Sequence, residues 1–191
     1  MTVSVHSETL TSVVSAKIII SGGFGVGKTT FVGAISEIEP LTTEAAMTSA
    51  SVGVDDTSGV ENKSTTTVAF DFGRITVDER IVLYLFGTPG QERFAFLWDD
   101  LIEGAIGAIV LVDTRRIDQA YAALDFFEEA SIPIAIGVNH FPGSEQFELD
   151  EVREALGVAD RVPLVLCDAR QKESVKLVLL ALLDSVIFNA T

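Results

Sequence analysis

With 191 residues, 48% of them hydrophobic and 12 of them phenylalanine, the chain has the size and apolar content of one domain with a sizeable core. Its 28 acidic against 13 basic residues give a formal net charge of −15, which disfavours DNA or RNA as partner, since a phosphate backbone is gripped by positive charge. The longest apolar window, Ala105 to Val112, is far short of the roughly 20 residues a bilayer crossing requires, so no direct membrane insertion is expected. Met1 to Ser15 is polar and reads as a flexible arm, not a secretory signal, ahead of a domain over 16–191. Thr2 stands where myristoylation needs glycine, and Phe188 to Thr191 holds no cysteine for prenylation. The expected location is cytoplasmic, with any membrane association made through a partner.

Lys17 to Ser21 is a short run rich in β-branched residues, consistent with a buried strand. It leads into Gly22-Gly23-Phe24-Gly25-Val26-Gly27-Lys28-Thr29, a G-x-x-x-x-G-K-T pattern. Behind it, Phe31, Ala34, Ile35 and Ile38 recur at helical spacing, and Pro40 ends that helix. Strand, glycine-rich turn and helix N-terminus are the setting a phosphate loop requires. Residues without Cβ let backbone N–H groups converge on a polyphosphate, and the helix adds its positive end. Lys28 would reach the β- and γ-phosphates, and the Thr29 hydroxyl would ligate Mg²⁺; Gly22 to Thr30 form the nucleotide-binding set.

Leu41 to Ser64 shows no sustained period and reads as a long functional loop. Val68, Phe70 and Phe72 alternate with polar or small residues and run through Asp78-Glu79-Arg80 into Ile81 to Phe86, a β-hairpin. Helical patterns follow over Gln91 to Ile102, Arg115 to Ala130, Glu151 to Leu156 and Ser174 to Ile187. Continuous apolar strands fall between them at Ile106 to Val112, Ile132 to Val138 and Val162 to Cys167. Asp113 reads as a helix cap, Arg115 and Arg116 as surface residues, and Phe94 and Trp98 as core. Cys167, the one cysteine, reads as a buried reduced thiol. The alternation predicts an α/β, three-layer P-loop NTPase domain: a six-stranded, mostly parallel sheet with one antiparallel edge strand and helices on both faces.

In their order and spacing these motifs resemble the small Ras-like GTPases over roughly Ala16 to Ile187. Thr67-Val68-Ala69-Phe70-Asp71-Phe72 resembles the family's T-x-x-x-D-F pattern, which makes Thr67 the first choice for a second Mg²⁺ ligand, Thr66 the second, and leaves Thr65 open. Phe86 to Phe94 resembles the family's W-D-T-A-G-Q-E-R-F segment. That match implies that Gly90 contacts the γ-phosphate through its backbone and that Gln91, the catalytic residue beside Lys28, orients the attacking water. Gly87 stands in place of the aspartate that holds Mg²⁺ through water, which implies a weaker metal site or another acid; Pro89 stands in place of alanine. Asn139-His140-Phe141-Pro142 occupies the place of N-K-x-D, so Asn139 is kept, His140 or Phe141 is offered for stacking, and Pro142 gives no acceptor for guanine. Asp168-Ala169-Arg170 resembles the S-A-K loop.

Within that group the strings Thr67 to Arg74, Leu85 to Phe94, Trp98 to Leu101 and Val165 to Arg170 are most similar to bacterial MglA-type proteins. The likeness is greatest to actinobacterial ATP/GTP-binding proteins encoded beside roadblock-domain proteins. The resemblance implies a GTP/GDP switch with Mg²⁺ and slow hydrolysis, since no arginine lies between Phe31 and Phe72 to act in cis. It also implies a roadblock/LC7-type regulator or activator and a sensor-kinase-like complex. Two alternatives stay open: a nucleotide-dependent binding module with negligible turnover, and an NTPase unselective for guanine that binds ATP.

Overall fold

The computed structural model describes residues 13–39, 41–47, 66–90 and 92–189. The strands are β1 (Val14–Gly22), β2 (Leu41–Met47), β3 (Thr66–Thr76), β4 (Ile81–Gly87), β5 (Ala105–Val112), β6 (Ile134–Asn139) and β7 (Leu164–Cys167). The α-helices are α1 (Lys28–Ile35), α2 (Trp98–Ile102), α3 (Tyr121–Glu129), α4 (Leu149–Leu156) and α5 (Lys172–Asn189). Short 3-10 turns occupy Glu92–Leu97 and Thr114–Ala120.

Ile18, Ile19 and Ile20 of β1 are fully buried, which requires cover on both faces of the sheet. Successive side chains of a strand point to opposite faces. Ile18 and Ile20 accordingly join a core with Phe31, Val32 and Ile35 of α1 and Val175, Val178 and Leu182 of α5. Ile19 joins the other, with Trp98, Leu124, Phe127, Val152 and Leu156. The continuous apolar runs seen in the sequence follow from this two-sided burial.

One sheet runs in the order β2-β3-β4-β1-β5-β6-β7. β3 is antiparallel to β2 and to β4, and the pairs from β4 through β7 are parallel. The expected architecture of a mostly parallel sheet with one antiparallel strand and helices on both faces is therefore present. An additional strand, β2, comes from 41–47 inside the stretch read as a loop, and it covers β3 through the pairs Leu41↔Phe72 to Met47↔Thr66. Among the described residues the sheet has seven strands, the six expected and β2 beside them, and its antiparallel strand lies one place in from the edge. β1 starts at Val14, two residues before the expected domain start at Ala16.

Two helical segments are less regular than their periodicity predicts. Arg116, at φ −147 and ψ 53, breaks the one expected from Arg115, so that regular α-helix begins only at Tyr121. The 91–102 segment is 3-10 over Glu92–Leu97 before α2 begins. Trp98 is buried, and Phe96 is 58% exposed. Among the described residues no helix is long and apolar enough to cross a membrane.

The seat of α5 on the sheet depends on Gly107. A Cβ there would lie 2.9 Å from both Pro133 O and Leu182 Cδ1, and the first of these is backbone that cannot swing aside. Gly107→Ala is expected to lower the unfolding free energy by about 1–3 kcal/mol, read as a lower urea midpoint with unchanged slope.

Candidate functional site

The turn between β1 and α1 closes through Gly27, whose φ of 107 places it in the left-handed region at the helix N-cap. Phe31 N donates to Gly27 O at 2.8 Å, the first bonds of α1 forming directly off the loop. Lys28 is only 7% exposed, and its Nζ donates to Gly22 O and Gly23 O, each at 2.8 Å. Burial pushes the Lys28 amine down to about 8, against an opposing upward pull from the Asp71 carboxylate. Because this lies below the unfolded value, the charged amine costs stability at low pH, and that cost is relieved as pH rises from about 8 toward 10.5.

The end of β4 is brought over this loop by two bonds. Thr88 N donates to Ile20 O at 2.8 Å, and Thr88 Oγ1 donates to Ser21 Oγ at 3.0 Å. Gly90 then lies so near that a Cβ on it would fall 2.6 Å from Lys28 Nζ and 2.9 Å from Phe24 Cα. Gly90 and the phosphate loop, assigned separately from sequence, thus meet in space. Gln91 lies outside the described residues, as does Thr65.

Beside Lys28, the Thr29 hydroxyl donates to Asp71 Oδ2 at 2.7 Å. Asp71 comes from β3, and it fills the room left by Gly87: a Cβ on Gly87 would fall 2.9 Å from Asp71 Cβ and 3.0 Å from Oδ2. Thr66 and Thr67 open β3, where their backbones pair with Met47 and Ala46. Among the described residues no group of three or more His, Cys, Asp or Glu could hold a metal ion. Mg²⁺ does not require one, because it is commonly held by one or two protein oxygens together with phosphate and water. The Thr29 hydroxyl and Asp71 carboxylate are oxygen donors of that kind, and they fit such an ion.

The other end of the loop is tied to the sheet by Asn139. Its Nδ2 donates to Val26 O at 2.8 Å and its Oδ1 accepts from Ala169 N at 2.9 Å, with the side chain almost wholly buried. Asn139, expected among the nucleotide contacts, is thus engaged within the protein. His140 is exposed, and its backbone N–H is held by Cys167 O at 2.7 Å. Phe141 is covered by the Arg115 guanidinium, 4.0 Å from the ring centroid. Arg115 in turn grips Asp113 through two bonds of 2.8 and 2.7 Å, and Asp113 also takes Arg115 N at 3.0 Å, the expected cap. Asp168 and Arg170 pair through two bonds of 2.8 Å, and that arginine holds the Asp168 carboxyl down to about 2.

A cleft of about 510 Å³ opens at the C-terminal ends of β6 and β7, lined in part by Asn139, His140, Phe147, Cys167 and Asp168. That end of an α/β sheet is where such folds take ligands. Burial pushes the Cys167 thiol up to about 11, in accord with an inert buried cysteine.

Sequence reasoning gave no role to Asp71, Arg116 or Gln119. Gln119 Oε1 stands 2.5 Å from where a Cβ on Gly23 would be, and Arg116 Nη2 stands 3.6 Å from the same point on Gly25. Both come from the 3-10 turn, whose kink no periodicity signals. Asp71 could have been found. The hairpin register Phe72↔Phe86, carried one step on, sets Asp71 opposite Gly87.

A family model described as "Conserved hypothetical ATP binding protein" matches residues 20–188. The chain is 30% identical over 125 residues to an uncharacterized protein of Methanocaldococcus jannaschii, covering 64% of this chain and 68% of that protein. It is 31% identical over 101 residues to the Ras-related protein Rab11B of Nicotiana tabacum, covering 52% of this chain and 38% of that one. Solved structures of the same fold include the FeoB G-domain from Methanococcus jannaschii, with TM-score 0.61 and 16% identity, covering 91% of this chain and 98% of that one. Another is the cytosolic domain of the T. maritima FeoB iron transporter in a GDP form, with TM-score 0.64 and 16% identity, covering 91% of this chain and 64% of that one.

The Asn139 tether carries its own consequence for stability. Asn139→Ala removes two buried hydrogen bonds and strands Val26 O and Ala169 N without partners. A loss of about 2–4 kcal/mol is expected in chemical denaturation.

Proposed function

The chain belongs to the family of conserved hypothetical ATP binding proteins, nucleotide-binding on a G-domain-like fold, and from that footing we propose that it is a small GTP-binding switch. The observation that carries this reading is the meeting of Gly90 with Lys28 over the phosphate loop, because it brings together the two elements that contact a terminal phosphate.

In this reading Gly23 to Gly27 turn their backbone toward the polyphosphate, and Lys28 exchanges its two carbonyl acceptors for phosphate oxygens. Thr29 and Thr67 hold Mg²⁺, which would neutralise charge on the phosphates being separated. Gly90 senses the γ-phosphate, and Gln91 orients water toward it. Attack forms the new bond to phosphorus and breaks the bond to the bridging oxygen, leaving GDP and phosphate. His140, Asp168, Ala169 and Arg170 face the base end. Turnover is slow in the absence of a cis arginine from 32–71, and a roadblock/LC7-type protein is the proposed activator, as for MglA-type switches. A sensor-kinase-like complex and a cytoplasmic location belong to the same proposal.

A second reading, an NTPase unselective for guanine, is favoured by two features of the base end. Pro142 offers no acceptor, and the polar ends of Asp168 and Arg170 bind each other. Displacement of a fluorescent mant-GDP by GTP, GDP and ATP separates the two. The switch reading expects ATP to compete more weakly than either guanine nucleotide, and equal competition overturns it in favour of the second. Single-turnover phosphate release with and without a roadblock-type protein tests hydrolysis. Release in neither condition leaves a binding module without turnover.

Lys28 also sets a pH dependence. The free amine loses its proton as pH rises through about 8, whereas a phosphate-bound amine keeps it to higher pH. Nucleotide affinity is expected to be level well below that point and to fall by about tenfold per pH unit above it. Titration calorimetry across this range checks the slope, and Lys28→Ala should remove it together with about 2–5 kcal/mol of binding energy.

A further inference from the structure

The 3-10 turn Thr114–Ala120, which follows β5, packs directly on the phosphate loop. A Cβ on Gly23 would fall 2.5 Å from Gln119 Oε1 and 2.7 Å from Gln119 Cβ, so the turn fills the volume a side chain there would need. Three residues earlier on the same turn, the Arg116 guanidinium reaches Gly25. Its Nη2 lies 3.6 Å from the point a Cβ would take, which is ordinary contact distance. The backbone break of the turn, at φ −147 and ψ 53, falls at Arg116 itself, and so sets the starting point of the side chain that meets the loop.

Arg115 and Arg116 share one carboxylate unequally. The buried Asp113 accepts from Arg115 Nε at 2.8 Å, from Arg115 Nη2 at 2.7 Å and from Arg115 N at 3.0 Å. Arg115 is further fixed by lying over the Phe141 ring. Arg116 donates to the same Asp113 Oδ2 at 3.4 Å, longer than a strong charge-assisted bond, and its side chain is 42% exposed. Arg116 can therefore leave without stranding the carboxylate, which stays paired with Arg115. Its planar fork of N–H donors suits a phosphate better than an oxygen already taken.

From this juxtaposition we propose that Arg116 is a phosphate-binding residue of the nucleotide site, its guanidinium turning from Asp113 onto the diphosphate portion that GDP and GTP share. This rests on the nucleotide-switch reading above. The shared portion is assigned from position along the loop. Lys28 bonds Gly22 O and Gly23 O and meets Gly90, which is the end given to the terminal phosphate, whereas Arg116 stands at Gly25, two residues further on. The contact is thus made in both nucleotide states, and it is separate from a cis arginine acting on the terminal phosphate in turnover. In a chain of net charge −15, a second cation beside the loop offsets the repulsion a polyanion would otherwise meet.

The test measures binding, not turnover. Affinities for mant-GDP and mant-GTP are titrated by fluorescence at low and at high KCl for the wild type, Arg116→Ala and Arg116→Lys, with thermal denaturation to check folding. Arg116→Ala is expected to weaken both nucleotides by roughly 10–100-fold and to a similar degree, as for the loss of hydrogen bonds to a charged group. Its affinity should also depend less steeply on KCl, because one screened charge contact is gone. Arg116→Lys keeps the charge without the fork and should recover part of the loss. Wild-type affinity in Arg116→Ala overturns the assignment, and so does a loss confined to mant-GTP, which would place Arg116 at the terminal phosphate. A loss that leaves the KCl dependence unchanged and is not relieved by lysine also overturns it, because Arg116 would then act only through the packing of its turn. A wild-type protein that binds neither mant-nucleotide overturns the switch reading, and this one with it.

Discussion

One ammonium group, buried at the mouth of β1, constrains everything around it. Charge is costly to take out of water, and Lys28 is kept in place by the carbonyls of Gly22 and Gly23 on one side and the field of Asp71 on another. Even so, the amine is shifted down to about 8, so the stabilising contacts do not fully offset its desolvation. A polyphosphate meeting Lys28 replaces neutral dipoles with full negative charge, and the gain is largest where water is excluded.

The fold serves this group by fixing strand ends, not by surrounding it with side chains. β1 is buried on both faces through Ile18, Ile19 and Ile20, and so cannot shift without disturbing two cores at once. β4 is locked to its end by Thr88 N on Ile20 O, and the Ala169 loop is locked to the phosphate loop by Asn139. Gly90, Lys28 and Val26 are thereby placed by backbone and amide bonds that reach back into the sheet. At Gly90 and Gly87 a neighbour already occupies the volume a side chain would need: Lys28 Nζ at the first, Asp71 at the second.

Features that depend on local sequence were the readable ones. The Gly22 to Thr29 turn needs only its own spacing and an apolar strand before it, and the buried strands announce themselves because two-sided burial makes them continuously apolar. β2 was hidden for the opposite reason. An edge strand needs backbone pairing on one side, and Leu41 to Met47 shows no clean alternation to mark a buried face. The kink at Arg116 is a backbone event inside a helical pattern, so Arg116 and Gln119 could not be placed over the loop in advance. Asp71 lay in view as part of a string, yet its relation to Gly87 exists only across the strand register. The commitments of Asn139, Asp168 and Phe141 to Val26, Arg170 and Arg115 likewise link positions whose geometry no single stretch contains.

The two ends of the site differ in how they are built, and this bears on what each can distinguish. The phosphate end is made of backbone N–H groups, one amine and one hydroxyl, parts that recognise charge and do not care which base follows. A base is told apart by buried polar atoms left free to pair with its edge, and an unpaired edge there costs about 1–3 kcal/mol. At this base end three polar side chains are turned on protein partners: Asn139 on Val26 and Ala169, Asp168 on Arg170, Arg115 on Asp113. Selection of guanine through these groups would require one of the pairs to open, and the Asp168–Arg170 pair is the most exposed of them, with side-chain exposures of 23% and 52%. A surface ion pair of this kind is screened by water and holds less firmly than a good base contact. The base end can thus be remade by its ligand at little cost, whereas the phosphate end keeps its backbone and gives up the two carbonyl bonds of Lys28.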